Sequence, residues 1–186
     1  LSVKTQETAF KQLLSLVPAL YQKDFEELQT RGQLTFQGEA RGRYTDNQYP
    51  AFQAKLAVED GYFKYPSLSQ ALEKVNLSLS VDNPGGELDK TVTTLKPLQF
   101  EVAGEPFEAR MLLKTPMSDP FVDGRMQGKL NLGNLADLIP LGDETLLAGI
   151  LDTDVAIKGR YSAIEESRYE DFKANGNLAL TDFRYQ

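Results

Sequence analysis

The sequence predicts a mainly β protein with one or two short helices, in which a curled antiparallel sheet is built from repeats. Three observations support this fold class. Most of the chain alternates apolar and polar residues with a period of two, which is typical of amphipathic strands. Clusters containing Gly, Pro, Asn and Asp separate these segments, and a motif from the first third of the chain returns at its end.

The repeated motif consists of two amphipathic segments joined by a polar loop. Gly-Arg-Tyr at 42–44 recurs at 159–161, which is 117 positions further along the chain. Tyr-x-x-Phe-x-Ala at 49–54 recurs at 169–174, which is 120 positions further along. The second copy therefore contains three additional loop residues.

A shorter motif extends the similarity to the segment before the strands. Leu-x-x-Leu-Val-Pro at 13–18 is echoed by Leu-x-x-Leu-Ile-Pro at 135–140. We therefore predict a repeat unit of about residues 13–134 and a partial second copy over 135–186. Together they would form a single β-rich fragment, residues 1–186, of a larger protein.

Helical periodicity is found near the start of the chain. Residues 5–17 place apolar side chains at the i, i+3, i+4 and i+7 spacing of one helix face, and Pro18 is expected to end this helix. A second short helical piece is predicted over 24–28, before Gly32.

From Leu34 onward, apolar and polar residues alternate as in strands with one buried and one solvated face. In each copy of the motif this alternation changes phase within the second strand. We place the change at Asp60-Gly61 in the first copy and at Leu180-Thr181 in the second. A phase change needs one extra residue, so a β-bulge is predicted at each position.

The apolar faces of about eight predicted strands exceed what one or two short helices can cover. The sheet must therefore curl over its own apolar face, as an open trough or as a flattened barrel or sandwich. Repetition favours the trough, which would suit a lipid or another hydrophobic ligand. The alternative is a filled core, because most apolar faces in proteins are core. The residues predicted to line the trough are Leu34, Phe36, Phe52, Leu56, Val58, Leu77, Leu79, Phe100, Val102, Met111, Leu113, Met126 and Leu130.

Composition excludes several classes of function. The chain contains no His and no Cys, which removes Ser-His-Asp and Cys-His catalysis, thiol redox chemistry and ordinary zinc sites. Its net charge is −7 without a basic cluster, so no nucleic-acid partner is expected. The acidic residues do not follow calcium-loop spacing, and we expect neither a metal site nor a cofactor. An enzyme acting on glycans through paired carboxylates is a remote alternative.

Four segments resemble the AsmA family of bacterial envelope proteins, in the form found in Bacteroidetes-type bacteria. They are residues 18–44, residues 49–66 with the closing phrase Asp-Gly-Tyr-Phe-Lys-Tyr-Pro, residues 75–92 and residues 116–132. The likeness covers nearly the whole chain and consists of glycines and alternating strands, with no catalytic signature. The second copy of the motif lacks the Gly and Pro of the closing phrase.

The resemblance implies a larger protein with its bulk in the periplasm, held in the inner membrane by an N-terminal helix outside this sequence. AsmA-like proteins and their TamB-like relatives are linked to outer-membrane biogenesis and are thought to carry phospholipid in elongated β grooves. We therefore expect a non-enzymatic protein that binds or conducts phospholipid. The alternative is a scaffold that works with outer-membrane assembly components and does not handle lipid.

Overall fold

The computed structural model describes residues 2–4, 29–45, 48–64, 70–133 and 147–185. These residues form one antiparallel sheet of nine strands, whose spatial order is their order in the sequence. The strands are β1 (Ser2–Lys4), β2 (Gln29–Arg41), β3 (Ala51–Lys64), β4 (Leu72–Asn83), β5 (Val92–Val102), β6 (Glu105–Lys114), β7 (Phe121–Asn131), β8 (Leu147–Arg160) and β9 (Lys173–Tyr185). One short helix, α1 (Tyr161–Glu165), lies between β8 and β9. The predicted helices at 5–17 and 24–28, and the echo at 135–140, lie outside the described residues.

The mainly β fold class is confirmed, and the sheet is open. β1 and β9 form its two edges and do not pair with each other, so the strands do not close into a barrel. The main contacts of each strand are with its neighbours in sequence, and no second sheet occurs within the described ranges. The sequence allowed an open trough, a flattened barrel or a sandwich, and the structure shows a single open sheet.

The register aligns apolar side chains in rows across one side of the sheet, which we call the apolar face. One row contains Leu34, Val58, Leu77, Leu98, Ala109, Met126 and Val155. The next row contains Phe36, Leu56, Leu79, Leu95, Met111, Gly124 and Ile157. Because side chains alternate along a strand, the intervening residues lie on the opposite side, the polar face.

The hairpins β2–β3 and β8–β9, which carry the repeated motif, contain the same backbone irregularity. In the first hairpin Gly32 has a φ of 108° and lies opposite Asp60, whose φ is 48°. In the second hairpin Gly149 has a φ of 130° and lies opposite Asp182, whose φ is 52°. A Cβ atom on Gly32 would lie 2.6 Å from the carbonyl oxygen of Asp60, so the close approach of the strands requires glycine there.

The predicted phase change is therefore present in both hairpins, but its predicted position in the second was wrong. The bulge of β9 lies at Asp182, which is 122 positions after Asp60, and not at Leu180-Thr181. The position of the bulge is set by the glycine opposite it, which is Gly32 in the first hairpin and Gly149 in the second. The prediction instead aligned the two copies by their Tyr and Phe residues, and this alignment pointed to Leu180. The repeat unit of residues 13–134 stays a prediction.

Two aspartates connect the loops at one end of the sheet. Asp89, in the β4–β5 loop, accepts hydrogen bonds from the backbone N–H groups of Met117 and Ser118, both at 3.0 Å, and from the Ser118 hydroxyl at 2.6 Å. Asp119, in the β6–β7 loop, accepts hydrogen bonds from the backbone N–H and the hydroxyl of Ser162 at 2.9 and 3.1 Å. The β4–β5, β6–β7 and β8–β9 connections are thus linked to each other.

These hydrogen bonds make the stability of the sheet dependent on pH. The Ser118 hydroxyl and N–H groups lower the pKa of Asp89, and the Ser162 N–H group and hydroxyl lower the pKa of Asp119. A pKa that is lower in the folded state contributes stability above the unfolded value of about 3.9. That contribution is lost as the pH falls through the folded pKa.

We expect Asp119→Ala to lower the Tm by a few degrees at neutral pH, because it removes hydrogen bonds to a carboxylate. The difference from the unsubstituted chain should shrink as the pH falls below the unfolded value of about 3.9 and towards the lower pKa of Asp119 in the folded chain. Thermal unfolding followed by circular dichroism at neutral pH and at about pH 3 measures both effects. Asp152→Ala is the control, because Asp152 is exposed on the polar face and makes none of these contacts. A Tm difference for Asp119→Ala that does not change with pH would contradict the assignment.

Candidate functional site

All residues predicted to line a trough lie on the apolar face. They project from six consecutive strands, β2 to β7, and the register places them on the same side of the sheet. The face continues onto β8 through Leu151, Val155 and Ile157, which are opposite apolar-face residues of β7. The result is one continuous surface of aliphatic, aromatic and thioether side chains.

Burial on the apolar face is partial. Leu34, Val58, Val102 and Leu130 are buried, with 5 to 7% of their surface exposed. The other predicted lining residues are half-buried. Leu34 and Val58 form a small core with Val75, against which further side chains of β2 to β5 pack. The β2–β4 part of the face is therefore the better packed part, and the face as a whole is not a filled core.

A depression of about 210 Å³ lies on the apolar face where β5 to β8 cross it. Its walls are almost entirely apolar. The two arginines among its residues lie between apolar-face residues in β6 and β7, so the alternation along the strands places their charged side chains on the polar face. The residues that line it are Leu95, Ala109, Arg110, Met111, Val122, Gly124, Arg125, Met126, Val155 and Ile157. Gly124 leaves space there, because the atom nearest to an added Cβ would be 3.5 Å away.

Only two of the residues that line this depression were among those predicted from the sequence to line a trough. Of the predicted lining residues, Met111 and Met126 line it, and the others lie elsewhere on the apolar face. The alternation over residues 122–132 already placed Gly124 on this face, but a glycine has no side chain to suggest a lining residue. Val155 and Ile157 alternate with Asp154, Ala156 and Lys158 in the sequence. This alternation could have predicted that both residues lie on the apolar face.

The β9 edge extends the apolar face to the border of the sheet. Every residue of β9 is exposed, and Leu178 and Leu180 expose 59% and 44% of their surface. Both lie on the apolar face, opposite Thr153 and Leu151 of β8. An exposed strand of this length is able to pair with a further strand.

The polar face carries charged side chains in cross-strand ion pairs. Arg125 lies 2.7 Å from Asp154, and Lys158 lies 2.9 Å from Asp123, its direct partner in the register. The hydrogen bond from Lys158 lowers the pKa of Asp123. All four side chains are partly exposed, so each pair contributes little to stability. Within the described ranges, acidic side chains do not gather in a group of three or more that could hold a metal ion.

The fold and this surface define a class of protein: an open antiparallel β sheet with one continuous apolar face and one charged face. In the comparisons with known proteins, no family model, no curated protein and no solved structure matches the chain. The resemblance to the AsmA family therefore rests on the sequence segments described above. Within the described residues, no helix has the length and apolar character needed to cross a membrane.

Proposed function

We propose that the apolar face binds the acyl chains of phospholipid or of another hydrophobic envelope lipid. On this proposal the chain is the periplasmic part of an AsmA-like protein, anchored to the inner membrane by a segment outside this sequence. It takes part in outer-membrane biogenesis without catalysing a reaction. The observation that carries the proposal is the continuous, half-buried apolar face of an open sheet.

The dimensions of the face favour a chain-like ligand. The depression between β5 and β8 has about 210 Å³, which is less than the roughly 300–1,000 Å³ of pockets that enclose a whole small molecule. It can hold a segment of an acyl chain, and the rest of that chain would follow the rows of apolar residues. Each row crosses the seven strands β2 to β8, so at a strand spacing of about 4.8 Å the rows are roughly 29 Å long.

The composition of the depression also favours a hydrocarbon ligand. Met111 and Met126 have unbranched, flexible side chains that adapt to ligands of different shape. Burying hydrocarbon against such walls contributes about 0.8 kcal/mol for each methylene. A few methylenes in the depression and more along the rows give reversible binding, which is what a carrier of lipid requires.

Gly124→Leu is expected to weaken lipid binding by about tenfold. The leucine side chain would occupy the depression and displace about two methylenes, a loss of about 1.6 kcal/mol. An added Cβ at Gly124 meets no atom closer than 3.5 Å, so the sheet should tolerate the substitution. The measurement is uptake of a fluorescent phospholipid, NBD-phosphatidylethanolamine, from phosphatidylcholine vesicles by delipidated protein.

The matched control is Ala156→Leu. Ala156 lies on β8 between Val155 and Ile157, which line the depression, but its side chain is on the polar face. We expect this variant to take up lipid like the unsubstituted chain, with the same circular dichroism spectrum. Failure of the unsubstituted chain to take up the phospholipid, or equal uptake by the Gly124→Leu variant, would contradict the proposal.

The second candidate function is a scaffold for outer-membrane protein assembly that does not handle lipid. It is favoured by the exposed β9 edge, where Leu178, Phe183 and Tyr185 expose half or more of their surface. An unfolded outer-membrane β protein could add a strand to this edge. Cross-linking from β9 to such a substrate, by a chain that takes up no phospholipid, would favour the scaffold over the lipid carrier.

A further inference from the structure

A row of amide and carboxylate side chains crosses the polar face. The row contains Asn76, Gln99, Glu108, Gln127, Asp154 and Asn177. Each member is the direct register partner of the next, so the row runs across six consecutive strands without a break. Adjacent members are therefore separated by the spacing of strands, about 4.8 Å.

The row passes through a concavity of about 540 Å³ on the polar face. The polar residues that line it are Lys74, Asn76, Gln99, Glu101, Glu108 and Gln127, and the other lining residues are Phe100, Pro106, Phe107 and Gly128. The backbone of β4 is irregular beside it, because Lys74 has a φ of 51° and the register with β5 shifts between Glu73 and Asn76. Such a bulge bends the strand and gives the concavity one of its sides.

The charges around the concavity are largely balanced. Lys74 Nζ lies 2.9 Å from the carboxylate of Glu101. The carboxylate of Asp154, further along the row, is paired with Arg125 at 2.7 Å. Glu108 has no ion-pair partner among the described residues, and it lies between the two amides of Gln99 and Gln127.

The amides of the row differ in how firmly they are held. Asn76 is fixed by two hydrogen bonds: its Nδ2 donates to the carbonyl oxygen of Lys74 at 3.0 Å, and its Oδ1 accepts from the backbone N–H of Asp60 at 3.3 Å. Gln99 and Gln127 are exposed and, in the part of the chain that the structure describes, make no hydrogen bond with their side chains. They are free to bind a ligand.

We propose that this concavity binds a neutral, hydroxyl-rich oligosaccharide whose chain runs along the row, across the strands. Each amide offers both donors and an acceptor, which complements a sugar hydroxyl that donates and accepts. The Glu108 carboxylate accepts two hydrogen bonds from neighbouring hydroxyls of one ring. The strand spacing brings one amide or carboxylate to each successive part of an extended sugar chain.

Other classes of ligand fit this surface less well. A phosphate or another anion would meet Glu101 and Glu108 on a chain whose net charge is −7. A basic peptide would find a single unpaired carboxylate, that of Glu108, because Glu101 and Asp154 are already paired with cations. A hydrophobic ligand would leave the amides without partners, which is unfavourable. A neutral polyol can hydrogen-bond to the free amides of Gln99 and Gln127 and to the carboxylate of Glu108, and its binding does not bring a further charge into the concavity.

The test is a titration of the ¹⁵N-labelled chain with cellohexaose, the hexasaccharide of β-1,4-linked glucose, whose internal rings carry adjacent hydroxyls, followed by NMR. We expect shifts in the side-chain amide signals of Gln99 and Gln127 and in the backbone signals around Glu108. The double variant Gln99→Ala/Gln127→Ala should bind about tenfold more weakly, because it removes several hydrogen bonds. The matched control is Gln37→Ala, an exposed glutamine on the polar face of β2, which should bind like the unsubstituted chain.

Two results would overturn the glycan site. One is the absence of shifts at saturating hexasaccharide, and the other is binding that the double variant retains in full. The site is independent of the lipid proposal, because its side chains are on the opposite face of the sheet. The double variant should therefore take up NBD-phosphatidylethanolamine normally, while Gly124→Leu should bind the hexasaccharide normally.

Discussion

Val58→Asp is expected to lower the free energy of unfolding by about 3–5 kcal/mol at neutral pH. Val58 exposes 5% of its surface and lies between Leu34 on β2 and Leu77 on β4. A carboxylate at this position loses its water and gains no cation from either partner. Because the ionised form is the costly one, the pKa of the new carboxyl group would be raised, and the loss should become smaller as the pH falls.

The control is a substitution of the same type one residue earlier. Ala57 lies opposite Thr35 and Ser78 on the polar face, where a carboxylate stays in water. We expect Ala57→Asp to change the free energy of unfolding by no more than about 0.5 kcal/mol. Urea unfolding of both variants at neutral pH and at about pH 4 measures the difference. Equal losses for the two variants would show that the two faces are assigned wrongly.

Val58 and Gly124 separate two properties of the apolar face. Val58 belongs to the packed part, with Leu34 and Val75, so its substitution acts on folding. Gly124 belongs to the depression, so a larger side chain there acts on ligand binding. The packed part holds the sheet together, and the half-buried part keeps apolar surface accessible to a ligand.

The faces of the sheet could be predicted from the sequence because they depend on one strand at a time. Alternation along β2 places Leu34 and Phe36 on one side whatever their partners are, and every predicted lining residue was assigned in this way. The shortage of predicted helices likewise indicated that the sheet curls over its own apolar face, as an open trough or as a flattened barrel or sandwich. The repeated motif then favoured the open trough.

Features that depend on register could not be predicted in the same way. The polar row through Gln99, Glu108 and Gln127 exists only because these residues are direct partners in adjacent strands. The register between two strands is decided by loop lengths and by bulges. One example is the bulge at Asp182, which lies two positions after Leu180, where the predicted bulge began. The depression at Gly124 depends in addition on side chains from four strands. Neither feature is visible in a single segment.

Gly128→Ala is the second substitution with a large expected effect, a loss of about 2–4 kcal/mol in the free energy of unfolding. Gly128 has a φ of 141°, a conformation that residues with a Cβ atom rarely adopt. An added Cβ would lie 2.5 Å from the carbonyl oxygen of Pro106 and 2.8 Å from Cα of Phe107, both of which are backbone atoms. Since β6 and β7 are interior strands, neither can move without disturbing a second neighbour.

Gly124→Ala is the matched control for this substitution, because it adds the same methyl group to the same face of the same strand. Gly124 has a φ outside the left-handed region, and its added Cβ would make only ordinary van der Waals contacts, the nearest at 3.5 Å. Alanine there should be neutral or should stabilise by up to about 1 kcal/mol, since it restricts the unfolded chain. Urea unfolding of the two variants compares them directly. Similar stabilities would mean that β6 and β7 do not approach each other closely at Gly128, and the register that forms both the apolar rows and the polar row would then have to be revised.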